Sequence, residues 1–84
     1  MWIFTPYGFY SVVHKPWSPD GVLTIRARDK ADLESLWSSL KMAGEITEDA
    51  GADYRFRFEV HSADLAALMA GMIQRIDYDN FKNK

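Results

Sequence analysis

Arginine is the residue type whose spacing in this chain could do chemistry. Arg26 and Arg28 stand two apart in one run of alternating side chains, and Arg55 and Arg57 stand two apart in another. Side chains two apart on a strand share a face, so four of the five arginines are expected on one side of a sheet. Guanidinium groups take carboxylates or phosphates in bidentate fashion and stack on flat rings. Such a face suits an acidic protein surface or a nucleic-acid backbone. The competing reading is a solvated face whose arginines pair across strands with Glu45, Asp49 or Glu59, each pair contributing roughly 0.2–1 kcal/mol.

Trp17 is the second candidate. Held between Pro16 and Pro19, it would lose little further entropy on binding, and tryptophan is enriched at interface hot spots. It could equally fold back over an open edge of the core. Tyr10 and His14 are expected beside the arginines, which adds an aromatic ring to a cationic patch.

Catalysis finds little support. His14 and His61 stand alone, with no neighbouring carboxylate or hydroxyl pattern to orient a proton shuttle, and two imidazoles do not complete a metal site. The five glycines are scattered singly, so no phosphate-cradling loop is present. Asp77 and Asp79 lie in a polar tail where nothing desolvates them. With no cysteine in the chain, thiol nucleophiles, disulfides and zinc–thiolate sites are all excluded. The expectation is a non-enzyme with no metal and no cofactor.

The elements that must position these residues follow from periodicity. Trp2 to Phe4 and Phe9 to Val13 are rich in aromatic and β-branched residues, with a bend at Pro6 and Gly8. Lys15 to Gly21 is a loop, because two prolines and an Asp-Gly step forbid a continuous strand. Leu23, Ile25 and Ala27 then alternate with Thr24, Arg26 and Arg28. Asp29 can cap a helix whose apolar stripe is Leu33, Leu36, Trp37 and Leu40, with Gly44 suited to its stop. A weaker strand over 45–49 precedes the clearest one, where Tyr54, Phe56, Phe58 and Val60 alternate with Arg55, Arg57 and Glu59. Ser62 can cap a second helix carrying Leu65, Leu68, Met69, Met72, Ile73 and Ile76. Trp2, Trp37 and both helix methionines are expected in the core.

The order is strand, strand, helix, strand, strand, helix. Two helices with one stripe each cover only one face of a four-stranded sheet, which predicts a single α+β domain over 1–84, a two-layer sandwich of antiparallel-rich sheet. This ββαββα order is that of a permuted ferredoxin-like fold. Pairing Val13 with Leu23, Ser11 with Ile25 and Phe9 with Ala27 sets the inward residues opposite one another and turns Tyr10, Val12, His14, Thr24 and Arg26 outward.

Composition bounds the rest. At 84 residues the chain supports one core, and 48% hydrophobic against 26% charged residues is enough apolar surface to fold unaided. A formal charge of −2 is neither the balance of a general nucleic-acid binder nor the field of a DNA mimic. The apolar opening is too short for a membrane span and lacks a basic leader, so a cytoplasmic protein is expected.

Met1-Trp2-Ile3-Phe4-Thr5, Gly8-Phe9-Tyr10-Ser11 and Asp77-Tyr78-Asp79-Asn80-Phe81-Lys82 resemble the two ends of a group of small, uncharacterised bacterial and prophage proteins. The resemblance implies a compact cytoplasmic domain and carries over no functional residue. Tyr78 and Phe81 would pack against the first strand. Small size, mild acidity and absent chemistry are also similar to phage-encoded inhibitors of bacterial defence, including anti-CRISPR proteins, which cover a functional surface of a larger complex. The function expected is therefore non-covalent protein binding through Arg26, Arg28, Arg55, Arg57, Tyr10 and Trp17, by a monomer or homodimer that needs no membrane. The alternatives are a nucleic-acid-binding sheet face and a structural homo-oligomerisation domain.

Overall fold

The computed structural model describes residues 1–40, 43–77 and 79. Strand β1 (Trp2–Thr5) turns directly into β2 (Gly8–Val13), and β3 (Val22–Ala27) follows the proline-rich loop. Helix α1 (Lys30–Trp37), the short strand β4 (Thr47–Glu48), β5 (Phe56–His61) and helix α2 (Ser62–Gln74) complete the chain. All pairings are antiparallel, and the strands lie in the order β1-β2-β3-β5-β4.

The fold is α+β as expected, but the sheet has five strands instead of four. The extra strand arises at Pro6 and Tyr7, which form a tight reversal where the sequence suggests only a bend. The Thr5 hydroxyl holds it, accepting the N–H groups of Tyr7 at 3.0 Å and Gly8 at 3.2 Å. Gly8 has φ +156° and faces the first turn of α1, where a Cβ would stand 2.6 Å from that of Asp32. Only glycine lets the helix come this close to the strand.

Both helices cover the same face. Leu33, Leu36 and Leu40 from the α1 side and Leu65 from α2 join Tyr10, Val12, Ile25, Ala27, Phe58 and Val60 in one buried cluster. Leu68, Met69 and Met72 pack against it, as the helical stripe requires. Asp29 precedes α1 in extended conformation without a side-chain capping bond, while Asp32 sits in the first turn near the positive end of the dipole. The helix ends at Trp37, well before Gly44, and Leu40 reaches the core from a turn closed by its N–H to Trp37 O at 3.0 Å. At α2 the cap position falls on His61, and Ser62 is already helical.

The register of β2 on β3 differs from expectation by one residue. Ser11 stands opposite Arg26, Val12 opposite Ile25 and Val13 opposite Thr24. A one-residue slip exchanges the two faces of a strand, so Tyr10 and Val12 point into the core while Phe9, Ser11 and Val13 turn away. The cause is polar satisfaction. An inward Ser11 would bury a hydroxyl among aliphatic groups, whereas the inward Tyr10 donates its hydroxyl to Asp32 O at 2.7 Å on α1. Burial first, and the Asp32 carboxylate second, raise the Tyr10 pKa to about 12.

Candidate binding face

The sheet face opposite the helices carries a row that crosses four neighbouring strands and reaches the fifth: Trp2, Ser11, Arg26, Arg57 and Thr47, each opposite the next. Arg26 and Arg57 are therefore direct cross-strand neighbours at the centre of the sheet. Like charges directly opposite repel, yet no carboxylate lies between them. Among the described residues the ion pair found is Arg55 with Glu48, Nε to Oε2 at 2.7 Å.

Each central guanidinium is fixed by a single hydrogen bond. Arg26 Nη2 donates to Ser11 Oγ at 2.7 Å, and Arg57 Nη2 donates to Tyr54 O at 2.9 Å. The Nε atoms of both arginines are buried without a hydrogen-bond partner among the described residues. The stems are thus held against the sheet while positive charge faces outward uncompensated. Guanidinium groups held in this way can take a carboxylate or a phosphate oxygen.

Aromatic rings flank the pair. Tyr54 lies under both Arg26 and Arg28, whose guanidinium carbons stand 4.9 and 5.3 Å from its ring centroid. Phe9 is tilted against Tyr54 at 6.3 Å and stacks on Phe4 at 4.3 Å, centroid to centroid. Strand alternation would place Tyr54 inward with Phe56, but it precedes β5, and the chain there is free to turn its ring to the other face.

On the far side of Arg57, a cavity of about 450 Å³ opens between the proline-rich loop and the sheet. Lys15, Trp17, Thr24, Thr47, Arg57 and Glu59 line it. Trp17 is 75% exposed, with the Lys15 ammonium 5.5 Å from its ring. The loop is anchored by Ser18 Oγ, which donates to Glu59 Oε2 at 3.3 Å. Trp17 does not fold back over the core.

Of the six residues expected in the site, Arg26, Arg28, Arg57 and Trp17 lie on this face or at its margin. Arg55 does not join them: its side chain turns to Glu48 and to the ring of Phe56, which packs on the helix side of the sheet. Tyr10 does not either, being 0% exposed beneath α1. Sequence reasoning missed Ser11, Tyr54, Phe9, Phe4 and Trp2. Trp2 was expected in the core but is 71% exposed on the open face, and Trp37 is partly exposed, its indole N–H donating to Gly44 O at 2.8 Å. For Ser11, Phe9, Phe4 and Trp2 the signal is the β2 register, for which a serine between Tyr10 and Val12 argues; Tyr54 precedes β5 and no alternation places it. Tyr78 and Phe81 lie outside the described residues.

Among the described residues, no group of three or more His, Asp or Glu side chains could hold a metal ion, and no helix is long and apolar enough to cross a membrane. No family model, curated protein or solved structure matches the chain, so the reading of this face rests on its own residues.

Proposed function

We propose that this protein is a non-enzymatic binding domain that docks its open sheet face on an acidic surface of another protein and blocks it. The observation that carries this reading is the Arg26–Arg57 pair, fixed at the sheet centre with two buried, partnerless Nε donors and no carboxylate against it. Carboxylates on a partner would supply the missing counter-charge at the outward ends of the guanidinium groups. Arg, Tyr and Trp are the residue types that dominate interface energetics, and Arg28, Tyr54 and Trp17 surround the pair. The resemblance of the chain ends to bacterial and prophage proteins makes a bacterial defence complex the first partner to try. We also read β2, β3, β5 and β4 as the permuted ferredoxin-like sheet, with β1 added at its edge.

A single-stranded nucleic acid is the second reading, favoured by the exposed rings of Trp2 and Phe4 beside the arginines. Against it stand the formal charge of −2 and the acidic residues Glu45, Glu48, Asp49 and Glu59 along the β4 side, which repel a continuous polyanion. The test compares the wild type with the Arg26→Gln/Arg57→Gln double variant. Each is used as bait for bacterial lysate and titrated with a single-stranded oligonucleotide at low and moderate salt. The proposal expects a protein retained by the wild type alone and no oligonucleotide binding. Oligonucleotide affinity that falls steeply with salt in the wild type, or a partner retained equally by both baits, would overturn it.

A further inference from the structure

Among the described residues strand β1 is an open edge of the sheet, and its hydrogen-bonding phase can be worked out. Met1 and Val12 exchange both of their bonds, the Met1 terminal amine donating to Val12 O at 2.8 Å and Val12 N–H to Met1 O at 2.7 Å. Bonded and non-bonded pairs alternate along an antiparallel ladder. With Trp2 opposite Ser11, Ile3 opposite Tyr10 and Phe4 opposite Phe9, Ile3 is bonded to β2, while Trp2 and Phe4 aim their N–H and C=O groups at the free edge. Pro6, next in that phase, has no N–H and ends the series.

These free groups are symmetric about Ile3. We infer that β1 is a self-complementary dimerisation edge, pairing antiparallel with β1 of a second copy across a two-fold axis at Ile3. In that register Trp2 of one copy stands opposite Phe4 of its partner, twice. All four free groups of each strand are then used, whereas a two-fold axis at Trp2 would use only half of them, and one at Phe4 would set Trp2 opposite Pro6 and leave the Trp2 carbonyl without a donor. Trp2 and Phe4 are each 71% exposed, and the register sets each against the other type across the new ladder, a favourable aromatic pairing. Strand β1 itself carries no charged side chain of the kind that usually blunts a solvent-facing edge.

The flank beneath the edge is largely apolar as well. A groove of about 500 Å³ runs between β1 and the C-terminal end of α2, lined by Ile3, Met69, Met72, Ile73 and Ile76, with Arg75 and Asp77 also in its lining. Ile73 and Ile76 are 67% and 53% exposed, so the apolar stripe that packs against the core along most of α2 continues, exposed, at its last turn and just beyond it. An aromatic side chain carries about 150–250 Å². Complete cover of Trp2, Phe4 and the two isoleucines in both copies would remove at most about 1,000 Å² from water, the lower bound for a specific interface. The pairing leaves Arg26, Arg28 and Arg57 open and takes up the rings of Trp2 and Phe4, which would otherwise favour nucleic acid.

The register can be tested by charge. In the Trp2→Glu/Phe4→Glu variant, carboxylates face carboxylates at both pairs; in Trp2→Lys/Phe4→Glu, ammonium faces carboxylate at both. Sedimentation equilibrium on the full chain should find a wild-type dimer at micromolar concentration and a monomeric Glu/Glu variant. The Lys/Glu variant should dimerise on the order of tenfold more tightly than Glu/Glu. Circular dichroism verifies that each variant folds, and amide exchange, needing no variant, should show Trp2 and Phe4 protected only at concentrations where the dimer forms. A wild type that stays monomeric to millimolar concentration, equal association of the two variants, or a dimer in which both amides still exchange freely would overturn the inference.

Discussion

Replacing Arg57 by Met should make the protein more stable. The methionine keeps most of the unbranched stem that lies on the sheet and removes the guanidinium. Three terms decide the balance. Freeing the structure of a buried donor without a partner, Nε, returns about 1–3 kcal/mol. Ending the direct opposition to Arg26 returns about 0.2–1 kcal/mol. Losing the bond from Nη2 to Tyr54 O costs about 1 kcal/mol. With about 1.5 kcal/mol for the donor and about 0.5 kcal/mol for the repulsion, both below the middle of their ranges as suits a half-buried site, the net gain is about 1 kcal/mol, or a rise in Tm of about 4–8 °C for a domain of this size. Thermal denaturation followed by far-ultraviolet circular dichroism measures it. The gap should narrow as salt is raised, because added ions screen the repulsion present only in the wild type. A variant that melts below the wild type would show that Arg57 is held for stability, and the case for an unsatisfied anion site would fall with it.

Other perturbations separate the site from its scaffold. Ser11→Ala should destabilise by about 1–2 kcal/mol, since it removes the one acceptor that fixes Arg26; urea unfolding measures this, and a neutral result would mean the guanidinium is not positioned by Ser11. Gly8→Ala should cost about 2 kcal/mol, from its positive φ and the close approach of Asp32, again read by urea midpoint. Tyr10→Phe should cost about 1 kcal/mol through the lost bond to Asp32 O. Wild-type stability should also decline with pH in a defined window. The folded Tyr10 pKa is about 12 against the ordinary tyrosine value of 10.0, so its contribution is whole below pH 10 and is lost as pH rises from 10 through 12. Tyr10→Phe should lack that component, and identical alkaline profiles for the two proteins would place Tyr10 in water.

The fold class, both helices and the core face of β3 and β5 were legible because their periodicity is unambiguous: Leu23, Ile25 and Ala27, then Phe56, Phe58 and Val60, alternate with polar residues. In β2 the two candidate faces are nearly equal in apolar content, Phe9 and Val13 against Tyr10 and Val12, and hydrophobicity alone cannot choose. The choice falls to polar atoms. Tyr10 has a partner on α1 and Ser11 has one on β3, a long-range matter that no local pattern states. The hairpin at Pro6 and Tyr7 was missed for a related reason, since the Thr5 hydroxyl stabilises it in place of the usual glycine or asparagine signal. Arg55 and Tyr54 escaped alternation because they precede β5, where the strand constraint on side-chain direction has not begun.

The charge inventory gives the open face its meaning. Twelve acidic side chains are available to ten basic ones, so a shortage of carboxylates does not explain why Arg26, Arg28 and Arg57 have none. Among the arginines expected on this face, the one that left it, Arg55, is also the one that found a carboxylate. Those that stayed are held by a hydroxyl, a backbone carbonyl and an aromatic ring. These contacts fix position without cancelling charge. A neutralised face would be more stable, and under the proposed function it would have lost the charge that a partner meets. The cost of keeping like charges side by side is small enough for a domain with a continuous core to carry, and large enough to be measured when one of them is removed.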